Sequence, residues 1–117
     1  MQKMCFFFDK GNSYLDSEDA IEISLSEALE EIELFPTELE YESGFIGFIN
    51  ENDETLQLVR TGINEWIVDV PIVENNAYLC SLQNKGLTTN TVKHIVEEFF
   101  KNGPWKELCD FPSSQYN

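Results

Sequence analysis

Cys80, His94 and Asp110 carry the side chains of a thiol, imidazole and carboxylate set. Nucleophilic catalysis needs a thiolate beside a base that a third group orients. Nothing local supports that use. Cys80 has no glycine elbow, and His94 is a single histidine beside an apolar helical stripe. They read as an ordinary core cysteine and a surface histidine. The run Asn50-Glu51-Asn52-Asp53-Glu54 offers several oxygens to a cation such as Ca²⁺. It lacks the alternating Asp/Asn pattern, the central glycine and the distal Glu of a calcium loop, so it reads as a solvated hairpin turn. Asp69 stands between Val68 and Val70, just before Pro71. No partner acid or nucleophile is evident, and a structural role is expected: a cross-strand pair with Arg60 contributing ~0.2–1 kcal/mol. No catalytic residue, metal ligand or cofactor is expected, and the chain reads as non-enzymatic.

Charge is the feature above background. The formal net charge is −15, from 22 acids against seven Lys and Arg in 117 residues. No cation lies between Lys10 and Arg60, an interval that holds fourteen acids. Nucleic acid and anionic membrane are therefore poor partners, and a basic protein or a cation is a better one. Solubility asks for a net charge of only about 2–8 in magnitude on a small domain. The expected partner face is Glu27, Glu30, Glu31 and Glu33 on a helix, continued by Glu38, Glu40 and Glu42. Crowding of these carboxylates predicts folded pKa values above unfolded ones.

The elements that must position these groups follow from periodicity. Residues 45–82 read as four short strands joined by polar turns, and connections this short favour antiparallel neighbours. Leu56, Leu58 and Arg60 share one face of the second strand; Trp66, Val68 and Val70 share one face of the third. Pro71 cannot donate to a ladder and ends that strand or sits on an edge. Residues 3–8 form a first strand, with Tyr14-Leu15 as a short return. Residues 16–19 are a polar lead into a helix. Ser24 and Glu27 have capping-box spacing. Leu25, Ala28, Leu29 and Ile32 then recur as a half-buried stripe, and Pro36 stops the helix. Residues 37–43 are a strand or an extended connector. After a loop at residues 83–88, Thr89 caps a second helix with Val92, Ile95, Val96 and Phe99 inward, and Gly103-Pro104 ends it. Trp105, Leu108 and Phe111 form a short turn packing back, and residues 113–117 are a frayed tail. Trp66 and Trp105 are core residues.

The expected fold is α+β: a single domain over residues 1–117, with an antiparallel β-meander of about four to six strands and two main helices packed on it. No apolar run approaches the ~18 residues that span a bilayer, and Asp9 interrupts the first apolar run too early for a signal-peptide core. Cys5, Cys80 and Cys109 show no CxxC spacing and read as buried free thiols of a reducing, cytoplasmic compartment. A monomer or weak homodimer is expected.

A helix of the ISLSEALEEI kind, the strands GFIGFIN (44–50) and EWIVDVP (65–71), and a closing helix VKHIVEEFF follow one another here. In this layout the chain resembles the small acidic immunity proteins of bacterial polymorphic toxin and contact-dependent inhibition systems. The resemblance covers most of the chain and implies a non-enzymatic inhibitor that covers the basic site of a cognate toxin, often a nuclease. It carries over no contact residue, because such proteins diverge at the toxin-binding surface. The alternatives are a small intracellular adaptor or scaffold domain, whose charge only confers solubility, and a small-ligand-binding domain.

Overall fold

Alternation in residues 55–70 sets the two faces of the sheet. In the computed structural model, which describes residues 4–10, 13–35, 44–75 and 77–111, Leu56, Leu58, Trp66, Val68 and Val70 are buried on one face. Gln57, Val59, Ile67 and Asp69 point to the other and are half-buried. The elements in order are β1 (Met4–Asp9), β2 (Tyr14–Leu15), a 3-10 turn (Ser17–Asp19), β3 (Ile21–Ile23), α1 (Leu25–Leu34), β4 (Phe45–Ile49), β5 (Thr55–Gly62), β6 (Glu65–Glu74), β7 (Ala77–Leu87), α2 (Thr89–Phe100) and α3 (Trp105–Cys109). The fold is α+β. Among the described residues all pairings are antiparallel, in one sheet of seven strands, of order β2-β1-β4-β5-β6-β7 with β3 paired to β1 beside β2.

The sheet holds more strand than the periodicity predicted. β3 lies between the polar lead-in at residues 16–19 and the helix cap at Ser24, a stretch to which the sequence assigned no element, because three residues are too few to display a period of two. β7 continues through residues 83–87, which read as a loop. The composition Gln-Asn-Lys-Gly is poor in strand formers, but Gln83 pairs with Asp69, Asn84 with Val68 and Leu87 with Trp66. Pairing to a formed neighbour outweighs local preference in sheets. The register shifts between Asn84 and Leu87, where Gly86 takes a φ of +76° that side chains rarely adopt. Pro71 does not end β6. It pairs with Ser81 beyond the last β5–β6 pair, Gln57 with Asp69, so β6 has a described neighbour there on one side only.

One face of the sheet meets the helices. Met4, Phe6, Ile46, Phe48, Leu56, Leu58, Trp66, Val68, Val70 and Leu82 form a continuous core with Ala28 and Ile32 of α1, Val92, Ile95, Val96 and Phe99 of α2, and Trp105 and Cys109 of α3. The predicted stripes of α1 and α2 are the buried ones. Full burial of a large aliphatic or aromatic side chain contributes ~1.5–3 kcal/mol, so this layer dominates stability. Ser24 and Glu27 form the predicted capping box. The cap of α2 is Thr88 rather than Thr89: its hydroxyl accepts from the Thr91 amide. Thr89 instead accepts from the Trp66 indole N–H at 3.0 Å, satisfying the one polar atom of a buried ring. Asn84 donates to the Cys109 and Asp110 carbonyls and ties α3 to β7.

On the opposite face Phe7 lies flat across Gly47, its register partner on β4. A Cβ at Gly47 would sit 2.1 Å from Phe7 Cζ, so the ring occupies the space a side chain would fill. Phe45 meets the same ring edge-on at 5.9 Å. The readings at residues 37–43 and 113–117, a connector and a frayed tail, lie outside the described residues.

Candidate functional site

The acids of α1 divide by what they touch. Glu27 is exposed, but its carboxylate accepts from the Ser24 amide at 3.0 Å, and this bond to the backbone holds its carboxyl below the usual value. Glu31 pairs with Lys10 at 3.2 Å, and the same ammonium lies over the Phe8 ring. Glu33 pairs with Lys93 of α2; the hydrogen bond first, then the charge of that lysine, lowers its carboxyl. Glu30 is exposed and has no partner among the described residues. Glu38, Glu40 and Glu42 lie outside the described residues. The predicted row is thus partly used within the molecule, to cap a helix and to clamp α1 to β1 and α2. Asp16, Glu18 and Asp19 are exposed on the 3-10 turn and the residue before it. They entered the sequence reading as charge and as a polar lead-in; the signal that could have placed them at the surface is that no apolar residue interrupts positions 16–19.

The carboxyls that move do so downward, against the crowding expectation. Burial alone would raise Glu54, but hydrogen bonds from Asn50 and Lys106 outweigh it and hold its carboxyl below the ordinary value. Local donors decide these three groups, since a neighbour at hydrogen-bond distance outweighs like charges spread over a solvated surface.

Arg60, the cation that ends the acidic interval, turns inward. Its guanidinium lies 5.1 Å from the Trp66 ring and donates to the carbonyls of Phe35 at 2.7 Å and Glu33 at 3.4 Å. It also donates to Gly62 and Ile63 in the β5–β6 turn. The last turn of α1 has no basic residue of its own. Arg60 supplies that charge from the sheet and satisfies carbonyls that a helix end leaves open. The expected pairing of Arg60 with Asp69 does not occur. Arg60 lies opposite Trp66 on the helix side, whereas Asp69 lies opposite Gln57 on the other face. Asp69 Oδ2 accepts from Gln83 at 2.9 Å, and its Oδ1 is buried without a described donor.

The turn at residues 50–54 is built around Asn50, which is buried. Its side-chain oxygen accepts from the amides of Asn52 and Glu54, and its amide group donates to Glu54 at 3.0 Å. These oxygens are committed to shaping the turn. Glu54 also pairs with Lys106 at 3.1 Å, which joins the turn to α3 across a hollow of 280 Å³ lined by Asn52, Asn102 and Trp105 among others. Among the described residues, no group of three or more His, Cys, Asp and Glu side chains is placed to hold a metal ion.

Cys80 is exposed rather than core, on the part of β7 that the helices leave uncovered, and His94 is exposed on α2. No described hydrogen bond joins either to Asp110. Of the three thiols only Cys109 is buried, and burial pushes it up to about 12, which keeps it protonated and inert. Cys5 is half-buried. No described helix is long and apolar enough to cross a membrane. Comparison with family models, with curated proteins and with solved structures gave no match.

Proposed function

We propose that this protein is a non-enzymatic acidic binding protein, an immunity-type inhibitor that covers the basic site of a cognate bacterial toxin in the cytoplasm. The observation that carries this reading is the uneven charge along the chain. Fourteen acids separate Lys10 from Arg60 without an intervening cation, and Arg60 itself is turned inward onto backbone carbonyls. Asp16, Glu18, Asp19, Glu27 and Glu30 meet solvent. Such a surface stands in for a nucleic acid backbone, steers a basic partner toward it and repels acidic competitors.

The partner-binding acids proposed here are Glu30 with Asp16, Glu18 and Asp19, extended by Glu38, Glu40 and Glu42. Affinity capture at low and high salt, followed by an activity assay of the captured protein, tests the reading. The expected result is a basic protein whose activity is lost on stoichiometric addition of this chain, with association slowing steeply as salt rises. Reversing Glu18, Asp19 and Glu30 to Lys should weaken that complex at least about tenfold, while exposed charge changes move stability by only about ±0.5 kcal/mol each. A captured partner that keeps full activity, or binds the reversed variant as tightly, would refute it.

A further inference from the structure

Single exposed apolar residues are ordinary on a protein surface and need no partner. Leu34 and Ile63 do not stand singly. Leu34, the last residue of α1, is 67% exposed, and Ile63, in the turn between β5 and β6, is 80% exposed. The Arg60 guanidinium holds the two positions together. It donates to the carbonyls of Glu33 and Phe35, on either side of Leu34, and to the carbonyl of Ile63 itself. A guanidinium is small and planar, so the backbones at the two positions lie side by side. The turn is pinned from its other side as well, where the Asn64 side chain accepts from the Thr89 amide at 2.8 Å at the start of α2. Turn positions favour Gly, Pro, Asn, Asp and Ser, yet here an isoleucine takes one. Two large aliphatic side chains are thus held in water on a fixed frame, at a place where folding gains little from them.

We propose that Leu34 and Ile63 are the apolar anchor of the partner-binding face, and that the partner is a basic protein with an apolar recess inside its basic site. This rests on the function proposed above and adds a part of the surface that charge alone does not show. The groups around the pair select the occupant. Glu30 stands one turn before Leu34 on the same side of α1 and is exposed. Glu65, the first residue of β6, lies just beyond Ile63 and is exposed as well. Among the described residues neither has a partner. The nearby cations are committed: Lys93 to Glu33, and Arg60 to backbone carbonyls. An apolar centre within a polar rim is the usual anatomy of a protein interface. A rim of carboxylates favours a basic counterpart and repels both an anionic membrane and a second copy of this chain, whose net charge is −15. Arg60 and Asn64 already fix the backbone, so little conformational freedom is lost when the pair is covered.

The probe is the basic protein that the full chain captures at low salt, purified and bound to immobilised parent and variant chains. Capture alone decides nothing; the binding kinetics do. Leu34→Ala and Ile63→Ala should each raise the dissociation rate at least about fivefold, and the double variant at least about twentyfold. The association rate and its salt dependence should stay within about twofold of the parent's, because packed anchors act on dissociation and charges on encounter. Reversing Glu18, Asp19 and Glu30 to Lys should do the converse, slowing association and flattening its salt dependence. Leu79→Ala, at an exposed site on β7, should change neither rate. Both anchor sites are exposed, so melting temperatures should stay within a few degrees of the parent's. Ile63→Asn, a residue that suits the turn, should keep or raise the melting temperature while weakening the complex as Ile63→Ala does. A double variant that dissociates no faster than the parent overturns the anchor, while the proposed function stands if the charge reversals still weaken the complex. A chain that captures no basic protein, or one whose activity it leaves intact, overturns that function and the anchor with it. A dimer of the chain alone that the double variant dissolves in sedimentation would assign the pair to a second copy and equally overturn the proposal.

Discussion

Substituting Gly47 by alanine tests the packing of the sheet face turned away from the described helices. The added methyl would stand 2.1 Å from Phe7 Cζ and 2.3 and 2.5 Å from the two Cε atoms. These atoms belong to a ring that is 4% exposed, so it cannot simply swing aside. If the ring stays, overpacking costs ~1–3 kcal/mol. If it is expelled, the burial of a phenylalanine, ~1.5–3 kcal/mol, is forfeited. Either route gives a loss of about 1–3 kcal/mol, and on a chain of this size a melting temperature lower by about 3–15 °C. Urea denaturation of Gly47→Ala, Phe7→Ala and the double variant closes a thermodynamic cycle. Removing the ring clears the space for the methyl, so the double variant should be no less stable than Phe7→Ala alone, a coupling of about 2 kcal/mol. Gly86→Ala is the control: nothing lies within 4 Å of its added Cβ, and only the backbone strain of its positive φ is incurred, whether or not Phe7 is present. A Gly47→Ala variant within about 0.5 kcal/mol of the parent, or two losses that simply add, would refute the reasoning.

Phe99→Ala, which empties a fully buried site against the edge of Trp105, should cost ~3–5 kcal/mol, while His94→Ala on the exposed side of the same helix should shift the denaturation midpoint little; equal shifts would mean that α2 packs on another face. Arg60→Ala should destabilise by about 1.5–3 kcal/mol through its bonds to the Phe35 and Glu33 carbonyls, and Arg60→Lys should recover less than half of this, because an ammonium cannot span a helix end and a turn together. Full recovery by lysine in the same denaturation assay would mean that charge alone matters. The lowered carboxyls of Glu27, Glu33 and Glu54 set the sign of the acid response. Their contribution is present above the unfolded value near 4.5 and is lost as pH falls through the folded values, because the unfolded chain then binds more protons. Melting temperature should therefore fall below that pH, and Glu54→Gln should make the fall shallower; identical acid limbs would count against the Glu54 network.

The helix stripes and the inward faces of β5 and β6 were legible because each is a run long enough to display its period, and the core that uses them is the expected one. β3 was hidden by its length. The end of β7 was hidden by its composition, since Gln83 to Gly86 becomes strand only through β6. Pairing of Arg60 with Asp69 failed on parity. Trp66 and Asp69 are three apart on one strand, so a cation opposite the first faces away from the second. The candidate site was legible as charge and not as geometry. Whether a glutamate is free, caps its own helix or clamps a lysine depends on contacts such as Glu33 with Lys93, sixty residues away. No local pattern encodes such a distance.

The strand order also sets a timetable for assembly. β4 to β7 are joined by tight turns, and each can pair with a neighbour as soon as both have formed. β1 is different: Phe7 pairs with Gly47, forty residues downstream. Closing that long loop is slow compared with forming a hairpin. At synthesis rates of ~5–20 residues per second, the Phe6-Phe7-Phe8 run waits about 2–8 s for the glycine that receives its central ring to be made. During that interval β2 and β3, the acid-flanked strands that follow β1 at once, are its available partners. They cover only one edge of β1, so the edge that β4 later takes stays open until the glycine opposite Phe7 has been made.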